Sequence, residues 1–140
     1  MRQGRWHHRG RPIVYLASSA ASALLEPLVH LEAATPSELP RNYQLLEVQL
    51  PDNASIQDAP EQTSADWRQH QTLTRRIGDH WLATGSSLLL RVPSAVVGRT
   101  LNLLFNPAHP QATECRVVSV ARFPFNGRLV AVLRRRAKII

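Results

Sequence analysis

Three separate polar features of the sequence could carry chemistry. Arg5 lies beside Trp6, and a planar, permanently charged guanidinium next to an indole suits a phosphate carrying a stacked heterocycle. The ordinary alternative is a solvated arginine in an N-terminal loop. Glu26 falls within an apolar run, with Tyr15 eleven residues before it. A carboxylate beside a ribose accepts from its hydroxyls and favours an oxocarbenium-like transition state. The alternative is an exposed helix glutamate paired with His30 one turn on. Only one such carboxylate stands out, which argues against a two-carboxylate glycosidase. Ser94 follows Pro93 at the end of an apolar stretch, where a hydroxyl can bond a substrate or simply stabilise a turn. Trp67 and Trp81 suit either a core or a stacking platform. Residue by residue, these features allow a site for a sugar phosphate or nucleotide without establishing one.

Other chemistries find no support. The chain has no G-x-S-x-G, Walker loop, G-x-G-x-x-G or Cys/His nucleophile signature. The six histidines, at 7, 8, 30, 70, 80 and 109, lack metal-ligand spacing, so no metal site is expected. A single cysteine, Cys115, excludes an internal disulfide framework and fits a reducing cytosol. No apolar run approaches the ~20 residues that span a bilayer. The basic N-terminus lacks the apolar core of a signal peptide, and a cytoplasmic protein is expected. At 140 residues the chain is the size of one domain. Its net charge of +7 comes from sixteen arginines and one lysine, clustered towards the two ends. That charge favours an anionic partner: nucleic acid, a phosphorylated small molecule or an acidic protein.

The elements that must carry these side chains follow from periodicity. Ile13–Ala17 reads as a buried strand, Ser18 or Ser19 as a helix cap, and the run to Leu31 as a helix. Ala21, Leu24, Leu25, Leu28 and Val29 form its core-facing stripe. Glu26 lies off the stripe centre, facing water or a cleft. Thr35–Pro40 is a turn, residues 43–50 a strand, and 53–66 a surface loop. Residues 72–83 read as a helix capped by Gly85, with Gly78 weakening it by up to ~1 kcal/mol. Leu88–Val92, 115–120 and Leu129–Leu133 complete the strands, 102–106 closes a segment that cannot continue as helix through the prolines after it, and 134–140 is a basic tail. The class is α+β, with five or six strands and two or three helices.

The spelling of several stretches carries a further implication. Gly4-Arg5-Trp6-His7, Gly10-Arg-Pro-Ile-Val-Tyr15-Leu-Ala-Ser-Ser and Ala23-Leu-Leu-Glu26-Pro-Leu-Val-His30 closely resemble the RES domain, a family named for its Arg, Glu and Ser. The likeness continues through residues 43–52, Ile77-Gly-Asp-His-Trp81, Leu88-Leu-Leu-Arg-Val-Pro-Ser94, Asn102-Leu-Leu-Phe-Asn106-Pro-Ala-His-Pro110 and Phe123-Pro-Phe-Asn-Gly-Arg128. The resemblance implies an ADP-ribosyltransferase-like fold with a split, twisted mixed β core and flanking helices. It implies a toxin that consumes NAD+ by hydrolysis, phosphorolysis or ADP-ribose transfer. An Xre-family antitoxin with a DNA-binding helix-turn-helix domain would neutralise it, with a homodimer of the chain inside the complex. Carried over, Arg5 holds the NAD+ phosphates or ribose, Glu26 is the catalytic carboxylate, Ser94 binds the nicotinamide ribose and Tyr15 shapes the nicotinamide end. Trp81 is a candidate for the cleft wall.

Two departures qualify the expectation. Relatives usually begin with an additional strand before the Gly-Arg-Trp stretch, so the chain reads as N-terminally short. Pro27 follows Glu26 where an aliphatic residue is usual. Proline removes a helical hydrogen bond and disfavours helical geometry in the residue before it, which predicts a kinked or broken helix at Glu26. Two other functions therefore stand beside the toxin: an inactive RES-like protein that only binds its antitoxin, and a basic nucleic-acid-binding module using Arg134–Arg136.

Overall fold

The structure is a computed structural model and describes residues 3–30, 43–61 and 66–122. In chain order it places β1 (Val14–Ala17), α1 (Ala20–His30), β2 (Gln44–Gln49), β3 (Ile56–Asp58), α2 (Gln71–Thr84), β4 (Leu89–Pro93), β5 (Leu101–Phe105), a 3-10 turn (Pro110–Glu114) and β6 (Arg116–Arg122). Four strands form one sheet in the order β1-β5-β4-β3, and β2 pairs with β6 in a second. Among the described residues only the β3–β4 pair is parallel. The architecture is therefore α+β with a split, mixed β core, as the sequence implies. The expected strand at Leu129–Leu133, the turn at 35–40 and the tail at 134–140 lie outside the described residues.

The central strands β4 and β5 carry the deepest burial. Leu89, Leu90, Val92 and Leu104 are essentially inaccessible. Leu90, Val92 and Leu104 join Trp6, Trp67 and Trp81 in one core cluster. Burial of three indoles supplies a large apolar area from few residues, and Trp6 draws the N-terminal segment onto α2. Gly78 explains its own presence there. A Cβ at that position would land on the carbonyl oxygen of Trp6, with the carbonyl carbon only 2.9 Å away. The glycine that weakens the helix locally is what lets the N-terminal backbone lie against it.

Helix ends follow their local chemistry. Ser19 Oγ accepts from the backbone N–H of Ser22 at 3.2 Å, so of the two serines it is Ser19 that caps α1. Gly85 adopts the left-handed conformation (φ 58°) and its N–H donates to the Trp81 carbonyl, closing α2.

Two expectations are corrected. α1 runs unbroken from Ala20 to His30 through Pro27, so the predicted break at Glu26 does not occur. Proline costs one hydrogen bond and a steric adjustment, while the buried Leu24 and Leu28 anchor the turns on either side of it. The 53–66 segment is more than a surface loop. Its residues 56–58 form β3, pairing in parallel with β4, and Arg91 on β4 makes a forked ion pair with Asp58 at 2.7 and 3.0 Å. As an edge strand exposed throughout, β3 has no apolar alternation for a sequence pattern to reveal.

Candidate functional site

Glu26 projects from α1 towards the ends of β4 and β5. Its Oε1 accepts two hydrogen bonds of 2.6 Å, one from the Ser94 hydroxyl and one from the Asn102 amide. Ser94 follows the last residue of β4 and is 2 % exposed. Its N–H donates to the Thr100 carbonyl at 2.8 Å, closing the loop that leads into β5. Its Oγ accepts from the backbone N–H groups of Val96 and Val97 at 3.2 and 2.9 Å. With both lone pairs of the hydroxyl occupied, its one proton is directed at Glu26.

Asn102 occupies β5 between β1 and β4, with Ala17 on one side and Val92 on the other. A carboxylate only accepts, so the amide must turn its NH2 to Glu26. The other end of the amide, Oδ1, is buried without a hydrogen-bond partner among the described residues.

Arg5 comes from the N-terminal segment, which α2 fastens in place. Thr74 Oγ1 donates to the Arg5 carbonyl at 2.7 Å and Arg75 Nε to the Gly4 carbonyl at 2.9 Å. The Arg5 side chain donates to the Arg68 carbonyl at 2.6 Å and lies 5.9 Å from the centre of the Trp67 ring. Arg68 stacks on the same ring at 5.0 Å and donates to the Ala95 carbonyl in the loop after Ser94. Burial depresses the Arg5 pKa; the charge of Glu26 opposes this, while Arg68 and Arg75 add to it. Arg68 and Arg75 thus lie within electrostatic reach of Arg5, which itself feels the Glu26 carboxylate, and such a cluster of guanidinium groups suits an anion.

Tyr15 extends the site from β1. Its hydroxyl accepts from the Trp6 N–H at 3.1 Å and meets His7 Nδ1 at 3.0 Å. Burial of the hydroxyl end raises its pKa, with the Trp6 hydrogen bond and the charges of Arg5 and Arg75 opposing.

Of the residues singled out from sequence, Glu26 and Ser94 touch, and Arg5 lies within electrostatic reach of both Glu26 and Tyr15. Trp81 does not join them. It is 3 % exposed, packs in the core, and its indole N–H donates to Ser87 Oγ at 2.9 Å, which corrects its assignment to a cleft wall. Sequence reasoning passed over Asn102. The available signal was a single amide in an otherwise apolar stretch, Leu101-Asn-Leu-Leu-Phe105. No group of three or more His, Cys, Asp and Glu able to hold a metal occurs among the described residues. None of their helices is long and apolar enough to cross a membrane.

The split mixed sheet that places this carboxylate, with helices flanking it, is an ADP-ribosyltransferase-like fold. The family model for the RES domain matches residues 1–126, and the chain belongs to that family. It is 46 % identical over 126 residues to "Toxin Res" of Pseudomonas putida, covering 90 % of this chain and 85 % of that one. It is 36 % identical over 132 residues to the "Prs ADP-ribosylating toxin" of Sphingobium sp., covering 91 % and 80 %. Among solved structures it resembles the M. tuberculosis MbcT–MbcA toxin–antitoxin complex, with a TM-score of 0.61 at 18 % identity over 94 % of this chain and 76 % of that chain. The structural likeness carries the fold.

Proposed function

We propose that the protein is a toxin that cleaves NAD+ at its nicotinamide–ribose bond. The observation that carries this reading is the Glu26 carboxylate, pinned through Oε1 by Ser94 and Asn102 and flanked by Arg5. The clamp leaves Oε2 to accept from a ribose hydroxyl. Arg5, with Arg68 beside it, holds the diphosphate, and Tyr15 borders the nicotinamide end. The C1′–N bond breaks with its electron pair leaving on nicotinamide, which departs neutral. The cationic ribose carbon left behind is stabilised by the negative charge of Glu26. An acceptor oxygen (from water, phosphate or a protein side chain) then bonds to C1′ and loses its proton. In this scheme Ser94 acts through Glu26, since its proton is already committed there.

Relatives named as toxins and a structural neighbour solved with an antitoxin support a cognate inhibitor. We assign that role to an Xre-family antitoxin placing an acidic segment near the Arg5 cluster.

The test is the NAD+ content of cells expressing the chain beside a Glu26→Ala control. A fall with the parent and none with the control is expected. An unchanged pool in both, with soluble protein present, would replace the enzyme by a protein that only binds its antitoxin.

A further inference from the structure

Asn102 is 8 % exposed and sits between two paired strands. The sheet needs its backbone but has no need of an amide side chain. Leu104, two residues on along the same face, is fully buried and aliphatic, and an aliphatic group would suit position 102 equally well. The amide instead leaves Oδ1 buried and unpartnered among the described residues, an arrangement that folding penalises and that calls for an explanation. The one thing the side chain accomplishes is its 2.6 Å donation to Glu26 Oε1.

We infer that Asn102 is a positioning residue for the Glu26 carboxylate: its amide and the Ser94 hydroxyl together clamp Oε1, so that Oε2 faces the substrate ribose. This rests on the NAD+-cleaving reading of the site. Two donors arriving from different strand ends fix both the position of the carboxyl group and its rotation, which one donor cannot do. The closed geometry exists before substrate arrives, so its energetic cost is met in folding rather than at each turnover.

The test uses the full chain as parent, Glu26→Gln, Asn102→Leu and Asn102→Asp, with kcat and KM for NAD+ and the thermal midpoint measured for each. Asn102→Leu is expected to lower kcat about ten- to a hundredfold, the range for losing one hydrogen bond to a charged group. KM should stay within about twofold, since Asn102 touches Glu26 and not the ligand. The thermal midpoint should hold or rise, because the unpartnered oxygen is gone. Asn102→Asp preserves shape but opposes one carboxylate with another. Its kcat should fall at neutral pH and recover relative to the parent on acidification, when the new carboxyl regains a proton to donate. A purely structural role would produce neither the kcat-only loss nor the acid recovery.

An active parent, inactive Glu26→Gln and fully active Asn102→Leu would overturn this inference while leaving the function intact. A parent that consumes no NAD+ overturns both. Should Asn102→Leu fail to fold, the Asn102→Asp pH profile decides, and a profile parallel to the parent's refutes the clamp.

Discussion

Gly78→Ala is the sharpest test of how the N-terminal segment reaches the site. In a solvent-facing helix the change would stabilise by about 1 kcal/mol, because alanine loses less entropy on folding. Here the added methyl would occupy the position of the Trp6 carbonyl oxygen and sit 2.9 Å from its carbon and 3.4 Å from its Cβ. Those atoms are backbone or adjoin it, and Trp6 is buried, so no flexible side-chain end can swing aside. Overpacking of this kind costs about 1–3 kcal/mol or more, and the upper end applies when the obstacle is backbone. After the propensity gain, a net loss of about 1–2 kcal/mol remains. For a domain between the 100- and 150-residue cases this lowers the melting midpoint by roughly 3–8 °C. NAD+ consumption should fall as well, since Arg5 precedes the displaced residue. Gly98→Ala serves as the control: its Cβ meets nothing within 4 Å, and its midpoint should stay within about 1–2 °C of the parent, the span of a neutral surface change. Thermal denaturation of both variants gives the comparison. A Gly78→Ala midpoint at or above the parent's would refute the close approach.

Three further outcomes follow from local structure. Ser19→Ala removes the cap of α1 and should cost about 1 kcal/mol in urea denaturation; an unchanged midpoint would show that the helix end is satisfied otherwise. Trp81→Phe removes the buried bond to Ser87 and should destabilise by about 1–3 kcal/mol with KM for NAD+ unchanged, whereas a raised KM would return Trp81 to the ligand site. Burial works against ionisation of Asp79, but hydrogen bonds from His8 outweigh it and hold its carboxyl below the ordinary carboxylate value. A carboxyl that ionises more readily folded than unfolded stabilises the protein above its unfolded pKa, about 3.9, and that contribution disappears as pH falls through the depressed value. Urea midpoints of the parent and Asp79→Asn should therefore differ at pH 5–6 and converge in strong acid; curves that stay parallel throughout would remove the linkage.

The parts of the fold visible in the sequence are those set by periodic burial or local end chemistry. The 3.6-residue stripe around Leu24 and Leu28 marks α1, the Leu88–Val92 run marks β4, and Gly85 marks the end of α2. β3 escaped because its three residues are all exposed and its pairing comes from β4. The helix survived Pro27 because packing on both sides outweighs a local penalty that sequence rules treat alone. In the site, Glu26 and Ser94 were identifiable through the family spelling, and their contact across 68 positions is a tertiary fact. Asn102 escaped because a polar residue in an alternating strand ordinarily faces water; only the sheet register turns it inward. Trp67 and Trp81 read alike as either core or platform, and it is their packing with Trp6 in one cluster that buries both.

The spacing of the Glu26 contacts has a consequence for synthesis. The groups that aim the carboxylate lie 68 and 76 positions further along the chain. At ~5–20 residues per second, a ribosome that has added residue 26 needs roughly 4–15 s more to supply residue 102. Until residue 94 is added the nascent chain contains its carboxylate with neither clamping donor, and until residue 102 with at most one, while closing so long a loop waits on the pairing of β5 with β1 and β4. The clamped carboxylate therefore forms late in translation, and on the proposed function an inhibitor made at the same time has a window of seconds in which to be ready.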